Sequence, residues 1–124
     1  MKFAANCPQQ ACPPADAEPV DGEVIRFVRN DPPAAGDFRS YADDGKPVAD
    51  ACQACALSVL RRDEDVPIAR KAMPWFKKQL VAKAVLTSAH GVIRQTGAHR
   101  FHCSFWVEAS HGGSIHSLFR AVSQ

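Results

Sequence analysis

Residues 100–109 read RFHCSFWVEA, and their alternation decides the fold class. Phe101, Cys103, Phe105 and Val107 fall on one side of an extended chain, while His102, Ser104, Trp106 and Glu108 fall on the other. A period of two over eight residues predicts a half-buried strand with an apolar core face and a polar face carrying the chemistry.

Working back from that strand, Val92–Thr96 reads as a second strand and Ser88–Gly91 as a turn; Leu80–Thr87 is open between helix and strand, and the β-branched Val81, Val85 and Thr87 tilt it to strand, as the other arm of that hairpin. Asp65 to Pro74 predicts a short helix capped by Asp65. Pro47–Arg62 (PVADACQACALSVLRR) predicts a longer one, with Pro47 in the first turn and Val48, Cys52, Cys55 and Val59 on one face, although Leu57 falls opposite that stripe. Glu23–Arg29 (EVIRFVR) reads as the first strand, and Asn30–Gly45 as a long loop. Residues 1–22 hold Pro8, Pro13, Pro14 and Pro19, so they form an arm that is ordered only if something ties it down. His111–Gly113 is a turn, and 115–122 a terminal element of open type. The expected architecture is α+β: one domain over 23–124, with one or two helices on a small, mainly antiparallel sheet, preceded by a proline-rich N-terminal arm.

The chain has 124 residues, 46% of them hydrophobic and 23% charged. That is enough to bury a core without dense disulfide stapling. The longest uncharged apolar stretch, Ala54–Leu60, is far too short to span a bilayer, and the apolar run after Lys2 ends at Asn6, so the expected location is cytoplasmic. The net charge of +2 is the remainder of two opposed halves. Residues 1–65 carry seven basic and twelve acidic side chains (net −5); residues 66–124 carry eight and one (net +7), with all five histidines. Either the halves neutralise each other within one fold, or the second faces an acidic partner, a nucleic acid or an acidic protein. Trp75, Lys77 and Lys78, and then Arg94, Arg100 and Trp106, interleave cations with aromatics, and Lys77, Lys78, Arg94, Arg100 and Trp106 are the candidate partner-binding residues. The competing reading of Trp75 and Phe76 is that they plug the core.

Four cysteines form two close pairs, Cys7-x4-Cys12 and Cys52-x2-Cys55. Buried free thiols on the helix face are the plainest reading, and a tetrahedral zinc site is the alternative. A redox pair is disfavoured, because Cys55 would sit two turns into its helix. The fifth, Cys103, belongs to the core face of its strand. His102 beside Ser104 places a general base next to a hydroxyl, and His90 is a third candidate catalytic residue. The step His102-Cys103-Ser104 resembles one half of the two-histidine phosphoesterase signature; a second copy is missing, so the resemblance covers three residues. The sequence-level function is thus a binding or accessory module with a basic second half. Its rival is a small hydrolase or transferase of phosphodiester- or nucleotide-like substrates with His102 as acid or base. No P-loop lysine, G-x-S-x-G or H-E-x-x-H is present.

Overall fold

A computed structural model describes residues 1–46 and 48–123. Seven strands make two antiparallel sheets: β1 (Glu18–Pro19), β2 (Gly22–Val28), β3 (Leu57–Val59), β4 (Leu80–Leu86), β5 (Gly91–Gln95), β6 (Cys103–Val107) and β7 (Arg120–Val122). One sheet runs β1-β5-β6-β3 and the other β2-β4-β7. They are stitched at a single point, where Ile25 and Leu60 exchange two backbone hydrogen bonds of 2.8 Å. The domain is α+β, as its alternating and helical stretches predict.

The core lies between the sheets. Val24, Val28, Ala82, Ala84 and Leu86 project from the three-stranded sheet, and Leu57, Val59, Ile93, Cys103 and Phe105 from the four-stranded one, with Phe38, Ile115 and Phe119 closing the end. Residues 103, 105 and 107 of β6 do face this core, as the alternation requires. Helix α2 (Asp65–Ala72) covers the back of the three-stranded sheet through Ala69 and Val66, against Ile25, Phe27, Val81, Leu60 and Phe101. Its N-cap is Glu64, and Asp65 instead holds Arg62 at 3.4 Å.

Two sequence expectations are corrected. The helix predicted over 47–62 is only one turn, α1 (Ala51–Ala54), and the chain then becomes strand β3; Pro47, its predicted first residue, lies outside the described residues. The reason is the free edge of β6: Leu57 pairs with Phe105 and Val59 with Cys103, so extended backbone satisfies that edge while Leu57 and Val59 both reach the core. A helix would put Leu57 on the wrong face. The hairpin expected between 80–87 and 92–96 does not form either, because β4 pairs with β2 and β7 whereas β5 pairs with β1 and β6. The chain changes sheets at Gly91, whose φ is +143° and where a Cβ would lie 2.1 Å from the Trp106 carbonyl oxygen; only glycine fits.

The arm is tied down. Glu18–Pro19 pairs with β5, the Lys2 carbonyl accepts from Ala109 at 2.8 Å, and Phe3, Cys7, Cys12 and Ala17 pack around Trp106. The loop at 30–45 is held by Asp37, which accepts from the backbone N–H groups of Arg29 and Ala34 and from Asn30. No helix among the described residues is long and apolar enough to cross a membrane.

Candidate functional site

Three places in the molecule concentrate chemistry. The first is the cysteine cluster. Asp50 caps α1, accepting from the Cys52 and Gln53 N–H groups at 3.0 and 3.1 Å, so Cys52 and Cys55 stand one turn apart. The arm lies over them, with Cys7 bonded to Cys55 and Cys12 to Cys52. This corrects the expectation of free buried thiols at these positions: the sequence could show two close pairs but not that the arm folds back onto α1. The cluster is compact. Cys12 Sγ lies 3.9 Å from Cys55 Sγ, and the Sγ atoms of Cys7, Cys12 and Cys55 fall within 4.8 Å of one another. The Trp106 indole N–H donates to the Cys52 carbonyl at 2.9 Å and floors the cluster. Cys103 is free, buried in the core as expected, and its thiol is pushed up by burial.

The second place is the polar face of β6 beside β3. His102 Nε2 is 3.0 Å from Ser58 Oγ, and His102 Nδ1 is 3.1 Å from both the Thr96 carbonyl and Thr96 Oγ1. A carbonyl oxygen only accepts, so Nδ1 carries the proton and Nε2 offers its lone pair to the Ser58 hydroxyl. Burial lowers the His102 pKa below the ordinary value; the Thr96 hydrogen bond opposes this and the nearby His99 assists it. The ring is therefore neutral at pH 7. Ser104 is not available to a substrate: it is 1% exposed and spends its hydroxyl on Thr96 Oγ1 at 2.7 Å. The exposed hydroxyl is that of Ser58, hidden from sequence reasoning by the helix assigned there. The Ser58 carbonyl is held by Arg26 Nη1 at 2.8 Å, and burial pushes that guanidinium down to about 10. His90 stands elsewhere. It accepts from the Thr87 N–H and meets the His111 ring edge-on at the far end of β6, so it does not join His102.

The third place is cationic. A groove of about 880 Å³ between α2 and the β5–β6 turn is lined by Arg61, Arg62, His99, Arg100 and Phe101, with Ile68 and Ala72 from α2. Immediately after α2, the 3₁₀ turn Pro74–Lys78 presents Trp75, 60% exposed, with Lys77 and Lys78 also exposed. Trp75 thus does not plug the core; Phe76 does part of that, stacking on Phe27 at 4.3 Å. The other tryptophan goes the opposite way. Trp106, expected among the partner-binding residues, is 1% exposed beneath the arm and has no face for a ligand. Arg94 is exposed but paired with Asp16 at 3.2 Å. Among the described residues, Lys77, Lys78 and Arg100 have no ion-pair partner.

Comparison with protein-family profiles, curated proteins and solved structures finds no match to this chain, so its residues alone carry the functional reading.

Proposed function

We propose that this protein is a binding module for single-stranded nucleic acid. The observation that carries the reading is an exposed Trp75, with Lys77 and Lys78, on the turn that follows α2, whose Asp65, Ile68 and Ala72 line a groove shared with Arg61, Arg62, His99 and Arg100. Guanidinium and ammonium groups take up phosphates, and an exposed indole offers a stacking platform for a base. Fluorescence anisotropy with a labelled single-stranded oligonucleotide tests it. Neutralising three phosphates should give a slope of about −2 in log affinity against log salt. Lys77→Glu with Lys78→Glu should abolish most binding, and binding should quench the emission of Trp75, not that of buried Trp106. Salt-insensitive association, or quenching that survives Trp75→Phe, would overturn the proposal.

A second reading rests on the Ser58–His102–Thr96 chain and is a hydrolase of phosphodiesters. Ser58 Oγ would attack phosphorus as its proton passes to His102 Nε2, and the departing alkoxide would take that proton; water, deprotonated by the same nitrogen, would then release the phosphoryl group from Ser58. Turnover of bis(p-nitrophenyl) phosphate should vanish in Ser58→Ala and His102→Ala alike, and its loss in acid should come at lower pH than an ordinary histidine gives, because burial lowers the His102 pKa. Equal rates in wild type and Ser58→Ala would end it.

The cofactor suited to either reading is zinc at Cys7, Cys12, Cys52 and Cys55, since two close thiol pairs from separate segments make a tetrahedral donor set.

A further inference from the structure

We infer that the cysteine cluster has two forms: a zinc tetrathiolate when reduced and the pair of arm-to-α1 disulfides when oxidised. This rests on the zinc reading above and extends it to an exchange between metal and disulfide.

Four thiolates around zinc at about 2.3 Å stand about 3.8 Å apart. The 3.9 Å between Cys12 Sγ and Cys55 Sγ already matches that edge, although these two are not bonded to each other. Cys7 Sγ lies in the same 4.8 Å group, and Cys52, outside that group, is bonded to its member Cys12. Opening the two S–S bonds therefore leaves three donors already clustered, and a rotation of the Cys52 side chain on α1, away from its bond to Cys12, would supply the fourth. The backbone holding them is fixed by other means. Asp50 caps α1, Trp106 binds the Cys52 carbonyl, Ala42 N–H donates to the Ala54 carbonyl at 3.0 Å, and Asn6 reaches Asp43 at 2.8 Å.

The pairing itself argues for exchange. Neither disulfide joins a close pair within itself; both cross from arm to α1. Zinc would make the same cross-connection, so either form ties the arm to α1 beside Trp106. The balance is simple. Two dithiol molecules reduce the two disulfides to four thiols and become two cyclic disulfides; zinc then displaces four protons to give a dianionic centre. In the reverse direction two molecules of peroxide take four electrons from the thiolates and four protons from solvent, forming two disulfides and four waters and expelling the ion.

The full-length protein, reduced and kept anaerobic, is titrated with zinc alone and then with cobalt as a spectroscopic probe. One zinc per chain should bind, cobalt should give the intense visible bands of a tetrahedral tetrathiolate, and Cys52→Ser should lose those bands while Cys103→Ser keeps them. Peroxide should then release one zinc per chain to a chromogenic chelator, and peptide mapping should find Cys7 joined to Cys55 and Cys12 to Cys52. If the reduced protein takes up no zinc, the zinc reading falls and the exchange with it. If zinc binds but peroxide yields Cys7–Cys12 and Cys52–Cys55 bonds, or releases no metal, the exchange alone is overturned.

Discussion

Asp37 shows how one side chain can order a loop whose sequence announces no structure. Its carboxylate is 9% exposed, and it accepts from Arg29 N–H at 2.8 Å, Ala34 N–H at 2.9 Å and Asn30 Nδ2 at 3.1 Å. Burial alone would raise its pKa, but these bonds outweigh burial and hold it below the ordinary value. The group is thus more acidic folded than unfolded, so its contribution is complete above about pH 4 and disappears as pH falls through the folded value. Asp37→Asn should cost about 1–3 kcal/mol at neutral pH. Urea unfolding at pH 7 and pH 3 checks this: the gap to wild type should close in acid, and a gap independent of pH would remove the explanation. The two tryptophans mark the limit of the sequence at this scale. Each has basic residues within six positions in the chain, yet Trp75 faces solvent and Trp106 is covered, because what covers Trp106 is an arm almost the whole chain away.

At the scale of elements, strands β2, β4 and β6 were legible because each shows alternation or β-branched residues over several positions. The stretch at 47–62 was not. Ala, Cys, Gln and Leu favour helix locally, and the deciding fact, an unpaired edge on β6, lies outside the window. Only Leu57, out of place on the helical stripe, hinted at the strand. The two disulfides, 48 and 40 residues apart in sequence, are nested. Either alone removes about 4 kcal/mol of denatured-state freedom, but with one closed the other closes only a short residual loop and adds about 2–3 kcal/mol. In the oxidised protein, Cys7→Ser with Cys55→Ser should therefore cost about 2–3 kcal/mol, and removal of all four cysteines about 6–7 kcal/mol. Denaturant midpoints measure both; a first loss as large as the second would contradict the nesting argument.

Across the whole molecule, the opposed charges of the two halves are partly neutralised within the fold and partly left over. Lys83 pairs with Asp63 and Glu23, and Arg94 with Asp16, so part of the basic half is neutralised by the acidic one. What is left over is not scattered evenly: Arg100 and His99 share one groove with Arg61 of the acidic half, and Lys77 and Lys78 follow α2. Charge counts predict the excess, whereas its gathering depends on which strands become neighbours, and the change of sheet at Gly91 leaves no local signature beyond the glycine itself. The docking of the arm on Trp106 has a consequence for how the protein is made. A ribosome releases Cys7 and Cys12 well before the indole they pack around, which lies more than ninety residues further along the chain, and domains fold as their chains emerge. The thiols of the arm therefore travel through synthesis without their native surroundings until Trp106 has followed them.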